Sequence, residues 1–371
     1  TSTASEPLAQ PISTSVSEPE PVSTPLSTTN WVLIGGLGLL LVLTGLVAWF
    51  ILNPGQSEPA AAAPFEPEPR GEDWFTSRPL PESLSGASAV SVGNDIYLTG
   101  GMQSDGNINS DLYVYNTIDR AWKNGTAKPD PFINSAAVAV DQLVWIIGGE
   151  DANGNETGTT QVYRPSDDAW LTATNLPKPI TKGLALTDGS RLFHIGGRSD
   201  GGVIADVFAY DPITDSWSSL PPLPEGRSSA AGGIVNGIIY VIGGANAAGE
   251  ATATCFEFAL SGTNWETCAA MGNSRIDASS SVILNRIYIL GGETGANFGE
   301  LYNPESDIWE KINQPILEGL DNPSWTNVGA ANVESKVYLF GGEFNGTMSA
   351  DAFFYSPKVY KQFIPAATND E

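Results

Sequence analysis

The sequence is poor in positive charge. It has 17 Lys and Arg against 42 Asp and Glu, a formal net charge of −25, and no Lys or Arg before Arg70. Nucleic-acid binding needs cationic side chains to displace counterions from phosphates, so this balance argues against it. It argues equally against adhesion to an anionic membrane surface. Histidine occurs once, at His194, and cysteine twice, at Cys255 and Cys268. A four-ligand Cys/His zinc centre and a His-rich copper site are therefore excluded, as is any mechanism needing two histidines. No catalytic-triad spacing, Gly-rich phosphate loop or glycoside-hydrolase signature is present. The loops 105–111 (DGNINSD) and 151–157 (DANGNET) alternate Asp and Asn. The second has Glu156 where a calcium loop of the EF-hand type needs glycine, and Val162 where it needs an acid. No metal and no cofactor is expected.

What is abundant is glycine (40) and proline (26), clustered between short apolar runs, the pattern of turns in an all-β protein. Residues 1–30 are mostly Ser, Thr, Pro and Glu, and are expected to be a disordered linker. Residues 31–52 form a nearly uninterrupted apolar run of 22 residues. As a helix it would span roughly 33 Å, matching a hydrocarbon core of roughly 30 Å. Trp31 and Trp49 lie near its ends, where indoles favour the headgroup level. A retained transmembrane helix is expected there, since a signal peptide would need a basic leader. Its small residues, among them Gly35, Gly38 and Gly45, suit approach of another membrane helix. Residues 53–72 read as a second linker, rich in Pro, Ala and Glu.

From residue 73 to 365 the chain repeats itself, leaving 366–371 as a tail. Gly-Gly pairs occur at 100–101, 148–149, 196–197, 243–244, 291–292 and 341–342. Each ends a short apolar strand and is preceded by a run of small residues. Each is followed by a polar loop and then an aromatic: Tyr115, Tyr163, Tyr210, Phe258, Tyr302, Tyr355. Seven residues beyond the first five of these stands Trp122, Trp170, Trp217, Trp265 or Trp309. The unit therefore holds four strands. Small residues suit a crowded axis, and the glycine pair allows a bend that a side chain would block.

Six such units in register resemble the kelch repeat over about three-quarters of the chain. The resemblance implies an all-β fold, a six-bladed β-propeller of four-stranded blades, here preceded by one transmembrane α-helix. The sixth unit lacks its Trp, since Gln362 stands in that place. The stretch 73–82 around Trp74 resembles 215–225 around Trp217. Trp74 is thus expected to supply the last outer strand and close the ring. The competing choice is 358–364, with Phe363 in place of Trp.

Cys255 and Cys268 stand symmetrically about the pair Phe258 and Trp265 that the repeat sets opposite each other. They should face one another across a hairpin and form a disulfide. That places the propeller in an oxidising, extracytoplasmic compartment. His194 occupies a strand position and is expected to be packed and hydrogen-bonded. In the kelch family, partners bind one face, built from the loops after the Gly-Gly strand and those entering the inner strand. The entry position, sixteen before each pair, is Arg227 and Arg275 in two units and Trp325 in another. Glu150, Arg198, Glu293 and Glu343 directly follow Gly-Gly pairs. These seven are the candidate binding face, with an exposed tryptophan, for a protein segment or a glycan.

The function expected is a non-catalytic, membrane-anchored binding or scaffolding propeller, acting alone or as a subunit of a membrane complex. The alternatives are a sensor domain whose effector precedes Thr1, and a sugar epimerase working through carboxylates. An epimerase would need two carboxylates converging in one pocket.

Overall fold

The computed structural model describes residues 65–292, 298–317 and 324–358. The first linker, the apolar run 31–52, Glu293, Phe363 and the tail lie outside the described residues. Among the described residues no helix is long and apolar enough to cross a membrane.

The described residues are all-β, with six four-stranded antiparallel sheets and two smaller ones in the loops between strands. Sheet 1 contains Leu84–Val92, Asp95–Gln103, Leu112–Asn116 and Ala121–Gly125. Sheet 2 contains Ala136–Val140, Leu143–Glu150, Glu156–Arg164 and Ala169–Ala173. Sheet 3 follows with Leu184–Thr187, Leu192–Ile195, Val207–Asp211 and Ser216–Leu220. Sheet 4 is Ala231–Val235, Ile238–Ile242, Cys255–Ala259 and Trp265–Cys268. Sheet 5 is Ala278–Ile283, Arg286–Gly291, Gly299–Asn303 and Ile308–Ile312. Sheet 6 takes Gly329–Val333, Lys336–Phe340 and Ala352–Tyr355 from the end of the chain. Its fourth strand is Trp74–Thr76, from the beginning, with Trp74 opposite Tyr355.

The first strand of each sheet touches the first strand of the next, and that of sheet 6 touches that of sheet 1. Six apolar clusters fill the gaps between successive sheets. The gap between sheets 6 and 1 holds Tyr338 and Phe340 against Leu84, Leu98 and Tyr115. The gap between sheets 5 and 6 holds Leu290 and Phe298 against Trp74, Leu339 and Phe353. The inner strands carry small residues because they converge on the axis. An added Cβ on Gly233 would come within 2.4 Å of Val282 in the next sheet. These inner strands form no ladder with one another, so serines bridge them. Ser280 Oγ donates to Gly232 O at 2.7 Å and accepts from Gly232 N at 3.0 Å.

The six outer-strand tryptophans do more than fill space. Each of their indole N–H groups donates to a backbone carbonyl of the preceding sheet or its exit. Trp122 reaches Arg78 O, Trp170 reaches Thr126 O, and Trp217 reaches Thr174 O. Trp265 reaches Pro221 O, Trp309 reaches Ala269 O, and Trp74 reaches Asn313 O at 2.8 Å. In three sheets an aspartate adds a second link. Asp168, Asp215 and Asp307 each accept a tyrosine hydroxyl from their own sheet and a backbone N–H from the preceding one.

At the junction of sheets 6 and 1 that aspartate is replaced by Arg120, which bonds Phe65 O and pairs with Glu66 at 3.1 Å. Residues 65–72 therefore differ from the expected spacer. They fold back along Trp74–Thr76, through Arg70 N to Trp74 O and Thr76 N to Glu68 O, both 2.8 Å. Arg70 O also accepts from Ile316 N, beyond the last strand of sheet 5. The segment thus clasps the edge of sheet 6 and touches both neighbouring sheets.

Candidate binding face

In five of the six units the entry position does not face outward, and in the other Phe132 is partly buried. Leu84, Ile180, Arg227, Arg275 and Trp325 are all nearly fully buried. The cause is a backbone bond. The second glycine of a pair donates its N–H to the carbonyl of the next sheet's entry residue. Gly149 bonds Ile180, Gly197 bonds Arg227, Gly244 bonds Arg275, Gly292 bonds Trp325 and Gly342 bonds Leu84, at 2.7–2.8 Å. An added Cβ on Gly148 would stand 2.2 Å from Ile180 O, so the close approach requires glycine. Held this way, the entry side chain turns in beneath the face.

Arg227 lies over the Phe256 ring at 5.1 Å and bonds Glu225 and Thr254, each at 2.8 Å. Arg275 bonds Gly291 O at 2.7 Å and pairs with buried Glu300 at 3.2 Å. Burial pulls the Arg275 guanidinium below its ordinary range, and Glu300 opposes that shift. Trp325, expected to be exposed, donates to Gly341 O and stacks on Phe344 at 4.6 Å. These three residues assemble the face from below.

The residues that reach the axis stand two positions further on: Gly86, Asn134, Lys182, Ser229, Asp277 and Asn327. All six have positive φ, between 50° and 70°. Gly86 N donates to Asn327 O, Lys182 N to Asn134 O and Ser229 N to Lys182 O, each at 2.9 Å. A girdle of left-handed residues thus links adjacent sheets. The sequence carried a usable signal for it, since the six recur at the repeat spacing and four, Gly86, Asn134, Asp277 and Asn327, are types that enter this conformation readily.

The girdle residues line an axial cavity of about 450 Å³ together with the inner strands. Among the lining residues Lys182 is the one cation and Asp277 the one carboxylate. Around them stand the residues that follow the Gly-Gly pairs. Glu150 accepts from Asn134 Nδ2 at 2.7 Å, and Glu343 accepts from Ser85 Oγ at 2.5 Å. Arg198 donates to Gly201 O at 2.7 Å, within its own loop. Glu150, Arg198 and Glu343 are half-buried. The face is therefore amide- and hydroxyl-rich, with charges of both signs.

Cys255 and Cys268 are directly opposite in the register and form a disulfide, with Cα atoms 5.1 Å apart. His194 is buried in sheet 3, but neither ring nitrogen has a hydrogen-bond partner among the described residues, contrary to expectation. An added Cβ on Gly183 would sit 2.2 Å from its ring, so that glycine makes room for it. Burial pushes the imidazole down to about 4 and keeps it neutral. Lys128 is a second buried base. It occupies the repeat position held by Leu80, Leu176, Leu223 and Met271. Its Nζ lies 3.4 Å from Phe132 O and 5.5 Å from the Phe132 ring centre. Among the described residues no group of three or more His, Cys, Asp and Glu could hold a metal.

Comparison with known proteins agrees with this architecture. Residues 86–292 match the model of the KLHDC2/KLHL20/DRC7 Kelch-repeats domain. Kelch-like protein 35 of Mus musculus is 28% identical over 160 residues, 42% of this chain and 26% of that protein. An F-box/kelch-repeat protein of Arabidopsis thaliana is 27% identical over 144 residues, 39% of this chain and 25% of that protein. The matched stretch thus spans about a quarter of each relative. The solved structure of YjhT superposes with a TM-score of 0.65 at 15% identity, over 77% of this chain and 98% of that one. That likeness concerns the fold. With more than half its length in the matched model and a repeat whose glycines, tyrosines and tryptophans have the structural roles given above, the chain belongs to the kelch-repeat family.

Proposed function

We propose that this chain is a six-bladed propeller, closed at Trp74, that binds a protein partner over its axial mouth, tethered to a membrane on the extracytoplasmic side. The girdle is the observation that carries the binding reading. It sets Asn134, Lys182, Ser229, Asp277 and Asn327 around one opening on a rigid backbone. Amide, hydroxyl, ammonium and carboxylate groups arranged so suit a polypeptide, whose backbone and side chains offer all the complements. An epimerase working through two carboxylates is disfavoured, because Asp277 is the one carboxylate among the described residues that line the cavity. The tether rests on the apolar run 31–52, and the oxidising side on the disulfide.

A photo-crosslinking amino acid at Asn134 or Lys182, introduced into the full chain in its native membrane, tests the site. Discrete protein adducts are expected there and none at Ile213, an exposed turn remote from the mouth. Equal labelling from both positions, or adducts only with glycan, would refute the reading. Protease protection in sealed vesicles of known orientation tests the side of the membrane.

A further inference from the structure

A second cleft, of about 390 Å³, lies on the outer edge beside the clasp, away from the axial mouth. Phe65, Phe344 and Phe353 give it an apolar lining. Carboxylates of Glu66, Glu68 and Asp351 line it too. Two of these are answered internally, Glu66 by Arg120 and Glu68 by Arg70, each at 3.1 Å. Both pairs have an exposed carboxylate, so each is weakly held. The Asp351 carboxylate has no partner among the described residues. An apolar lining with acidic groups, on a chain of net charge −25, complements a cation carried on an aliphatic stem.

We propose that this cleft binds a basic segment of a partner protein, taking a lysine or arginine side chain with its stem on the phenylalanines and its head among the carboxylates. One wall of the cleft, Phe65, Glu66, Glu68 and Arg70, belongs to the clasp. The other, Phe344, Asp351 and Phe353, belongs to sheet 6 and the loop before its third strand. A ligand that needs both walls binds only the closed seam. Binding therefore stabilises the pairing of Trp74–Thr76 with Ala352–Tyr355, by linkage.

The test uses the full chain in detergent micelles and the fluorescent peptide acetyl-Lys-Leu-Lys-Leu-Lys-amide, with its Glu-Leu counterpart as control. The Lys peptide should bind and slow hydrogen exchange at the amides of Phe75 and Thr76, and the Glu peptide should do neither. Asp351→Asn with Glu68→Gln should weaken binding at least tenfold, and Phe65→Ala should weaken it severalfold. Asp277→Asn at the mouth should leave it unchanged, which separates this site from the axial one. Equal binding of both peptides would overturn the proposal, as would affinity untouched by the Asp351 and Glu68 changes, the sign of diffuse attraction to an acidic surface. A concentration-dependent dimer lost in the same variants would identify a second copy as the occupant and refute the assignment.

Discussion

Replacing Lys128 by leucine should stabilise the protein at neutral pH, and the gain should vanish in alkali. The site already suits leucine, because Leu80, Leu176 and Leu223 fill the same position after other sheets. Burial lowers the Lys128 ammonium from 10.5 to about 8, against a small opposing pull from Asp130. The folded state thus binds its proton less tightly than the unfolded state does. The penalty is fully present below pH 8 and is relieved as pH rises towards 10.5. A shift of that size corresponds to roughly 3 kcal/mol. The weak bond to Phe132 O and the contact with its ring return about 1 kcal/mol of that. Lys128→Leu should therefore gain about 2 kcal/mol at pH 7, read by urea unfolding of the full chain in detergent. The difference between variant and parent should shrink steadily above pH 8 and be near zero by pH 10.5. An equal gain at both pH values would mean that packing alone is responsible. A loss at pH 7 would mean that the ammonium is well solvated or paired, and the argument from burial would fail.

Other consequences are as direct. His194 is neutral when folded, so stability should fall as pH drops from 6.5 through about 4, and His194→Leu should remove that component from the acid melting curve. Ser280→Ala leaves both polar groups of Gly232 without their bridge, and should cost about 1–3 kcal/mol in urea unfolding, whereas Ser190→Ala in an exposed turn should cost little. Replacing both cysteines by alanine opens a 13-residue link and should cost about 3 kcal/mol in the same assay, and added reductant should lower the melting temperature of the parent but not of the variant.

The repeat was legible because its residue types have single uses. A glycine pair marks a backbone approach that no Cβ survives, and the Tyr–Trp spacing marks one hairpin. The same register set Cys255 against Cys268. The face was read less well, for a reason of orientation. Arg227, Arg275 and Trp325 suggest a face because they stand at the entry to three of the six inner strands. Which way such a residue points depends on the bond from the glycine of the preceding sheet to its carbonyl, a long-range contact with no signature in the residue itself. The girdle two positions further was less conspicuous, because Gly, Asn, Lys, Ser, Asp and Asn share a backbone conformation rather than a chemistry. The packed place of His194 was legible and its lack of a hydrogen bond was not, while Lys128 was hidden altogether. Each replaces an aliphatic residue without any compensating partner that a sequence pattern would reveal.

Sheet 6 is assembled from the two ends of the described fold, joined by the three-residue strand Trp74–Thr76 and by flanking bonds from Asp73, Ser77 and Leu80. Those residues do not recognise which molecule they belong to. At high concentration the strand of one copy can complete the last sheet of another, an exchange that creates linked pairs with the native strand pairing preserved. The clasp weights the choice. By tying Phe65, Glu66 and Arg70 to the neighbouring sheets of its own ring, it keeps the local concentration of the correct strand high and weights pairing within one chain over exchange.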